Sequence, residues 1–542
     1  MVKFSKERFF PQRNPEPPTR SLTSEFDKAV KDCQARVSQV IKDCREKNLK
    51  FRDVEFDLEC DKLLCLGTLR PTLSFAQPSD VQRVTEIFDN PQLFNGRASS
   101  NDIIQGSIGN CWLLSALAVM ATFNGLIENF CVAHDREVGV YGFVFFRDFT
   151  WVTVVVDDLL YMSIPKFEEL SSQEKQLYHG DKQRYNNQAR KGPDCLSFAR
   201  SATENVTWVS LIEKAYAKLH GDYLSLDGGY PSEAIEDFTG GISLDILTKD
   251  IINPDKFWNE ELLKATKDRL FSCSFNSLNT SRNGDLEATV HGLIGGHAYS
   301  ILRAIECRGK RFLVIRNPYG EDAWTGPWSD GSREWSSEWL KILPCLEHTF
   351  GNDGQFVMEY DDFLKSWEVI HRTLLLDDSW VLSSGWIQVP PRPLPTAWTF
   401  GDVSFTFTID HPTCAVIVLS KLNDRYFKEV SSHYTWMFDF RLYQKGKPQL
   451  VAVSHRRTWR RSVHAEVNLE AGEYVVHIRL DRESGAVTYT TGEQDAWDLR
   501  KLSRKLAQRE LSSAIAQNYK PMCVHPQCFP RCHANLSRHN NP

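Results

Sequence analysis

No stretch of this 542-residue chain is apolar enough to cross a bilayer. The most apolar run, Cys111 to Phe123, falls far short of the ~20 residues a span needs, and Val140 to Met162 is interrupted by Arg147, Asp148, Asp157 and Asp158. No transmembrane segment is expected. The opening MVKFSKERFFPQRNPEPPTR lacks an apolar segment of signal-peptide length, which argues against a secretory route. Basic excess is missing too: 64 Lys and Arg face 70 Asp and Glu, a formal charge of −6, so nucleic acid is a poor expected partner. Disulfide-scaffold spacing is absent. Of 14 cysteines, eleven (Cys33, Cys44, Cys60, Cys65, Cys111, Cys131, Cys195, Cys273, Cys307, Cys345 and Cys414) are scattered, as in a reducing compartment, and the cytoplasm is the expected location. The sequons at Asn205, Asn279 and Asn535 are short patterns that chance supplies. There is no internal repeat and no D-x-[DN]-x-[DN]-G calcium loop.

What is present divides the chain. At about 150 residues per domain the length suggests three or four units. Residues 1–69 form an amino-terminal segment, Pro- and Arg-rich and expected to be mobile to about residue 24, then helical from Ser24 to Asn48 behind a serine cap. Residues 70–226 mix a helix from Cys111, the strand-rich GVYGFVFFRDFTWVTVVVDD and a second helix, VSLIEKAYAKLHG. Within them the polar stretch 166–194 reads as a solvated surface excursion. The glycine-rich DGGYPSEAIEDFTGG, 227–241, marks a joint, and a second lobe runs over 227–378. Over 379–495 the segments FTFTI, CAVIVLSKL, WMFDFRLYQ, QLVAVS, AEVNL and YVVHIRL predict an antiparallel β-sandwich. Residues 496–542 hold a last helix, about 496–517, and a cysteine-bearing tail.

The chemistry centres on QGSIGNCWLLSALAVMAT, 105–122. A cysteine that opens a helix faces unpaired backbone N–H groups and the positive end of the helix dipole, so Cys111 is expected to favour its thiolate; an inert buried thiol is the competing reading. A base and an orienting group lie together in GLIGGHAYSILRAIECRGKRFLVIRNPYGEDAWTGPWSD. Folding that stretch about Arg308 and Gly309 pairs positions whose numbers sum to 617, which sets His297 opposite residue 320, three from Asn317. An imidazole there can take the thiol proton, and an asparagine carbonyl can hold its tautomer. Gln105 can aim its amide at a developing oxyanion, with the Cys111 N–H as second donor, and Gly106 and Gly109 would let substrate approach the loop. His291 is a rival base but reads as a loop histidine; His348, His455 and His464 read as surface or strand histidines.

With these residues in hand the chain resembles the calpains, intracellular papain-like cysteine proteases. The resemblance rests on QGSIGNCWLLSALA, VVVDDLL, LIEKAYAKLHGDY, EDFTGG, GHAYSI, RNPYGEDAWTGPWSD and DGQFVMEYDDF, in that order from about residue 70 to 370. It implies an α+β papain-like two-lobed protease core followed by an antiparallel, C2-like β-sandwich. It also implies Cys111, His297 and Asn317 as a triad, Gln105 as oxyanion donor, and protein substrates cut at limited sites through a thioester acyl-enzyme. Two departures stand out: Tyr319 replaces the family's usual tryptophan, and Asn110 replaces the aspartate that precedes the cysteine in the best-studied members.

Calcium is the other point of departure. The resemblance implies two calcium sites that close the lobes. Asp102 matches a ligand of the first, but Val206 stands where its partner glutamate belongs. Asp330 and Asp353 match the second, whereas Ala323 and Gln355 replace its glutamates. Because calcium affinity follows the charge of its ligand set, no required cofactor is expected, with weakened calcium sites the alternative. In the tail, Cys523, Cys528, Cys532, His533 and His539 are spaced more like a thiol-bearing tail than a zinc site. The run HRRTWRRSVH, 455–464, reads as a solvated loop or edge strand, with contact to acidic phospholipid through the sandwich as the alternative. A catalytically silent adaptor of the same architecture is the runner-up to a protease.

Overall fold

The segment CWLLSALAVMA forms the helix Cys111–Ala121, and residues 112–120 are all buried. A helix apolar on every face has no solvent side, so it must run through a core. Packed with it are the helices Trp208–His220 and Pro231–Thr239 and the sheet of Cys131–Asp135, Val140–Arg147 and Thr150–Asp157. Trp112, Phe145, Tyr216 and Phe238 form a network of ring contacts between them. The computed structural model describes residues 2–5, 22–67, 77–123, 125–276, 289–321, 324–377, 379–383, 397–423, 425–427, 434–454 and 460–484, with single positions near 389–393 and 499–507. The expected helix at 496–517 and the cysteine-bearing tail lie largely or wholly outside them.

Two units result, one of residues 29–147 and 151–375, the other of residues 1–28, 148–150 and 376–542. In the first, a six-stranded antiparallel sheet follows the helical core. Its order is Gln355–Glu359, Lys310–Arg316, Ala298–Cys307, Arg269–Ser274, Val369–Leu374 and Ile242–Leu247. Apolar side chains line both of its faces, Tyr299, Leu313 and Phe356 in one cluster and Leu302, Phe312 and Val357 in another. Leu270 and Ala298 belong to the helical core, so strand ends and the cysteine helix share buried surface.

The glycine-rich joint holds a helix, Pro231–Thr239. Proline at its first turn and Gly240 in a left-handed conformation at its end give it a start and a stop, and Ala234, Ile235 and Phe238 bury one face. The polar excursion is also more ordered than its composition predicts. A capping box at Ser171 and Glu174 and a side-chain cap from Asp181 start the helices Ser172–Leu177 and Lys182–Ala189, and the buried Tyr185 bonds the Pro165 carbonyl at 2.9 Å.

In the second unit the six expected strand segments all form strands, within two four-stranded antiparallel sheets. One sheet runs Trp398–Ile409, Gly472–Ser484, Tyr434–Gln444, Leu450–Val453; the other runs Trp380–Ser383, Val2–Ser5, Thr413–Ser420, Ser462–Leu469. Both contribute to one core, with Ala415, Ile417 and Ala465 from the second against Phe407, Phe440 and Ile478 from the first. Val2–Ser5 corrects the expectation of a mobile start: it sits between two strands distant in sequence, partners that local composition does not reveal. Among the described residues no helix is long and apolar enough to cross a membrane.

Candidate active site

Asn110 ends the loop and Cys111, a residue of intermediate exposure, opens the helix. The backbone amides of Cys111, Trp112 and Ala298 all donate toward the sulfur, as a helix start should provide. Burial nevertheless outweighs them and raises the thiol pKa above its ordinary value, with the nearby Asp227 carboxylate adding to the rise. The expectation of a favoured thiolate is therefore corrected: the donors are where the helix puts them, but the apolar surroundings act more strongly.

His297 stands just before the strand Ala298–Cys307 and is 4% exposed. Its Nε2 lies 2.8 Å from Asn317 Oδ1. Asn317 Nδ2 donates to the Glu321 carbonyl at 2.9 Å, which turns its oxygen to the ring and makes Nε2 the protonated nitrogen. Nδ1 is left bare as the basic atom. Burial lowers the imidazole pKa to about 4, only partly offset by the Asn317 bond, so the ring is neutral at pH 7. Tyr319 covers it at 4.2 Å between ring centroids and Tyr299 meets its edge at 5.0 Å.

The hairpin behind this pair turns where expected: Arg308 and Gly309 both have positive φ, the signature of a tight two-residue turn. Near the turn the paired numbers sum to 617, as Cys307 with Lys310, but a bulge between Ile301 and Arg303 shifts the rest to 616, as Ser300 with Arg316. Extended by that register, His297 falls opposite residue 319 rather than 320, in keeping with its ring contact to Tyr319.

Gln105 bonds the Pro318 carbonyl through its backbone N–H at 3.1 Å, while its side-chain amide donates to the Ile108 carbonyl at 2.9 Å. One of its two amide hydrogens is thus used within the loop. Its Oε1 is buried without a partner among the described residues. The glycines serve the fold more than the substrate: a Cβ on Gly106 would lie 2.3 Å from the Phe198 backbone, and one on Gly109 2.4 Å from the Asp227 carboxylate. His291 is exposed on a loop, its ring 5.5 Å from Trp324.

A thiol above its ordinary pKa beside a neutral imidazole predicts the reactivity profile. With the imidazole neutral and the thiol raised above its ordinary range, alkylation of Cys111 by iodoacetamide should climb about tenfold per pH unit from about pH 6 to 8. A plateau reached near pH 6 would instead mean a thiolate–imidazolium pair in the free protein. Intact-mass measurement of the alkylation rate reads this directly.

The profile "Calpain family cysteine protease" matches residues 51–372. The chain belongs to the calpain family. It is 35% identical to Calpain-9 of Rattus norvegicus over 352 residues, 63% of this chain and 45% of that protein. It is 31% identical to Calpain-5 of Mus musculus over 367 residues, 62% and 51%, and 33% identical to the Calpain-1 catalytic subunit of Bos taurus over 352 residues, 62% and 44%. The chain therefore spans about half the length of these curated calpains. Its homology is that of a cysteine peptidase.

The carboxylates that the resemblance assigned to calcium accept hydrogen bonds within the fold. Asp102 Oδ1 accepts from the Thr203 hydroxyl at 2.6 Å, and Oδ2 accepts from Trp208 Nε1 and the Ser99 amide, both at 3.0 Å. Val206, at the glutamate position, is buried among apolar side chains. Asp330 accepts from His348 Nε2 at 2.7 Å and the Gly351 amide at 2.9 Å, while His348 Nδ1 lies 3.0 Å from Gln355 Nε2. Asp353 accepts from the Gln355 amide at 3.0 Å; Ala323 lies outside the described residues. Calcium needs six to eight oxygens, and the glutamates that would complete either set are replaced by Val206 and Gln355 among the described residues. Among the described residues no three His, Cys, Asp or Glu side chains gather as a metal site. His348, expected as a surface or strand residue, is 3% exposed and joins this network, so that expectation is corrected.

Two further groups escaped sequence reasoning. Arg316, 1% exposed, donates to the Ile103 carbonyl at 2.8 Å; burial lowers its pKa to about 10 against the opposing pull of Asp353 and Asp102. Glu213 sits in the middle of Trp208–His220, fully enclosed beside Asn110. The helix sequence, with Ser210, Glu213, Lys214 and Lys218 at helical spacing, reads as amphipathic and gave no sign that Glu213 would be enclosed.

Proposed function

We propose that the chain is a calpain-like cysteine endopeptidase that makes limited cuts in proteins without needing calcium. What carries the reading is the His297–Asn317 hydrogen bond, which leaves a bare imidazole nitrogen on the residue adjoining Ala298, whose amide meets the Cys111 thiol. In this mechanism Nδ1 takes the thiol proton as sulfur attacks the scissile carbonyl. Gln105 and the Cys111 N–H hold the oxyanion. The C–N bond then breaks, the imidazolium returns its proton to the leaving amine, and a thioester remains. Water, deprotonated by His297, hydrolyses it to the acid and the free thiol. Acid quench during turnover of a peptide ester tests this: an acyl adduct on Cys111 is expected in the intact mass, and its absence during measurable turnover overturns the nucleophile assignment.

Independence from calcium is supported by the donors that surround Asp102 and Asp330. Millimolar calcium should leave the thermal midpoint of the folded chain unchanged. A site with a Kd one hundredth of the calcium concentration would add about 2.7 kcal/mol of stability and a rise of several degrees. The silent-adaptor alternative gains no support, since each residue of the expected constellation is present. The second unit we read as C2-like, and the cytoplasm as the location in which the free cysteines persist.

A further inference from the structure

An N-cap residue ordinarily turns its side chain onto the first amides of its own helix, and Asn110 does not. Its backbone does the usual work, its carbonyl accepting from the Leu113 and Leu114 amides at 2.9 and 3.1 Å. Its side chain points away instead, into a fully buried place. There the amide group lies 2.6 Å from Glu213 Oε1. The same carboxyl accepts from the Ala199 amide, at 3.2 Å to Oε1 and 3.0 Å to Oε2. Ala199 belongs to the segment on which the 105–110 loop rests: Ser197 accepts both the amide and the hydroxyl of Ser107, at 3.0 and 2.8 Å, and Gly106 has no room for a Cβ against Phe198. Ser210, one turn before Glu213, holds the Ala199 carbonyl at 2.7 Å.

We propose that Glu213 is a positioning residue for the nucleophile. Its carboxyl clamps the residue before Cys111 to the segment beneath the loop, and so sets where the Cys111 sulfur and amide stand relative to Gln105. The clamp rests on the protease reading for its catalytic meaning, though its geometry is independent of that reading. A buried carboxyl with no cation among its bonded partners is most stable as the neutral acid, and burial does push the Glu213 pKa up to about 8, against the bonds from Asn110 and Ala199. Glu213 Oε1 accepts from both Asn110 Nδ2, at 2.6 Å, and the Ala199 amide, at 3.2 Å, so one oxygen carries both halves of the clamp. Glutamine keeps that oxygen, its carbonyl placed to accept from both Asn110 and Ala199, and is uncharged like the acid it replaces.

The test compares the wild-type chain with Glu213→Ala, Glu213→Gln and Asn110→Ala. A misplaced nucleophile reacts more slowly without losing substrate contacts. In Glu213→Ala and Asn110→Ala kcat should therefore fall about 10- to 100-fold, with KM within about threefold. Glu213→Gln should stay within about threefold of wild type in both. As a readout independent of protease activity, iodoacetamide labelling of Cys111 at pH 8 should slow about fivefold in the alanine variants, as the thiolate loses aligned amide donors, and recover in Glu213→Gln. A lower thermal midpoint with unchanged kcat and unchanged or faster labelling overturns the proposal, since Glu213 would then serve stability alone. So does a Glu213→Gln variant as impaired as Glu213→Ala. If Glu213→Ala does not fold, Asn110→Ala breaks the same link from its other end. If the wild type cleaves nothing, the protease reading falls and the labelling rates still decide the clamp.

Discussion

His297→Ala is expected to lower kcat/KM on a peptide substrate by about 10⁴- to 10⁶-fold, the cost of removing a catalytic base that acts as a unit with its nucleophile. The size follows from the absence of a substitute. Without the imidazole the thiol must ionise unaided, and burial holds its pKa above the ordinary value. The rival His291 is exposed on a loop against Trp324. Asn317→Ala should cost less, about 10²-fold, because Tyr319 and Tyr299 still hold the ring while the tautomer is no longer fixed. Steady-state kinetics on variants with wild-type circular dichroism check both. Retention of more than a tenth of the activity in His297→Ala, with loss in His291→Ala, would move the base to the loop.

The largest effect on stability is expected at Lys214. Its ammonium and the Asp157 carboxylate are both fully buried and 2.5 Å apart. The same Nζ donates to the carbonyls of Asp157 and Leu159, at 3.1 and 2.8 Å. Asp157 in turn accepts from the amides of Leu159 and Asp53, at 3.0 and 2.8 Å. Lys214→Met strands a buried carboxylate and should lose about 3–5 kcal/mol in urea denaturation. Lys214→Met combined with Asp157→Leu should recover part of that loss, since replacing a whole buried pair by apolar groups is far cheaper than breaking it. A single-variant loss below about 1 kcal/mol would mean that water reaches the site, contrary to its burial.

Much of this was legible in the sequence because the physics is local. An apolar run behind paired glycines predicted the cysteine helix, and Arg308 with Gly309 predicted the turn that brings His297 near Asn317. The six alternating segments after residue 395 predicted strands, and all formed them. What failed to show depends on distant neighbours. The bulge at Ile301 moved the hairpin register by one residue, and nothing in AYSILRAI marks it. Burial of the Cys111 thiol comes from surroundings that a helix-dipole argument does not contain. Val2–Ser5 owes its strand to Trp380–Ser383 and Thr413–Ser420. His348 was read as a surface or strand histidine, and Glu213 and Lys214 drew no reading of their own, because their partners, Asp330, Asn110 and Asp157, are visible only in three dimensions.

The most direct test of a thiol protease freed from calcium is cleavage of casein by the purified chain under reducing conditions, in chelator and in millimolar calcium, beside Cys111→Ala. Equal cleavage in both conditions, abolished in Cys111→Ala, is the predicted result. Cleavage that appears only with calcium would contradict the account of the Asp102 and Asp330 networks, and cleavage that survives in Cys111→Ala would contradict the nucleophile itself.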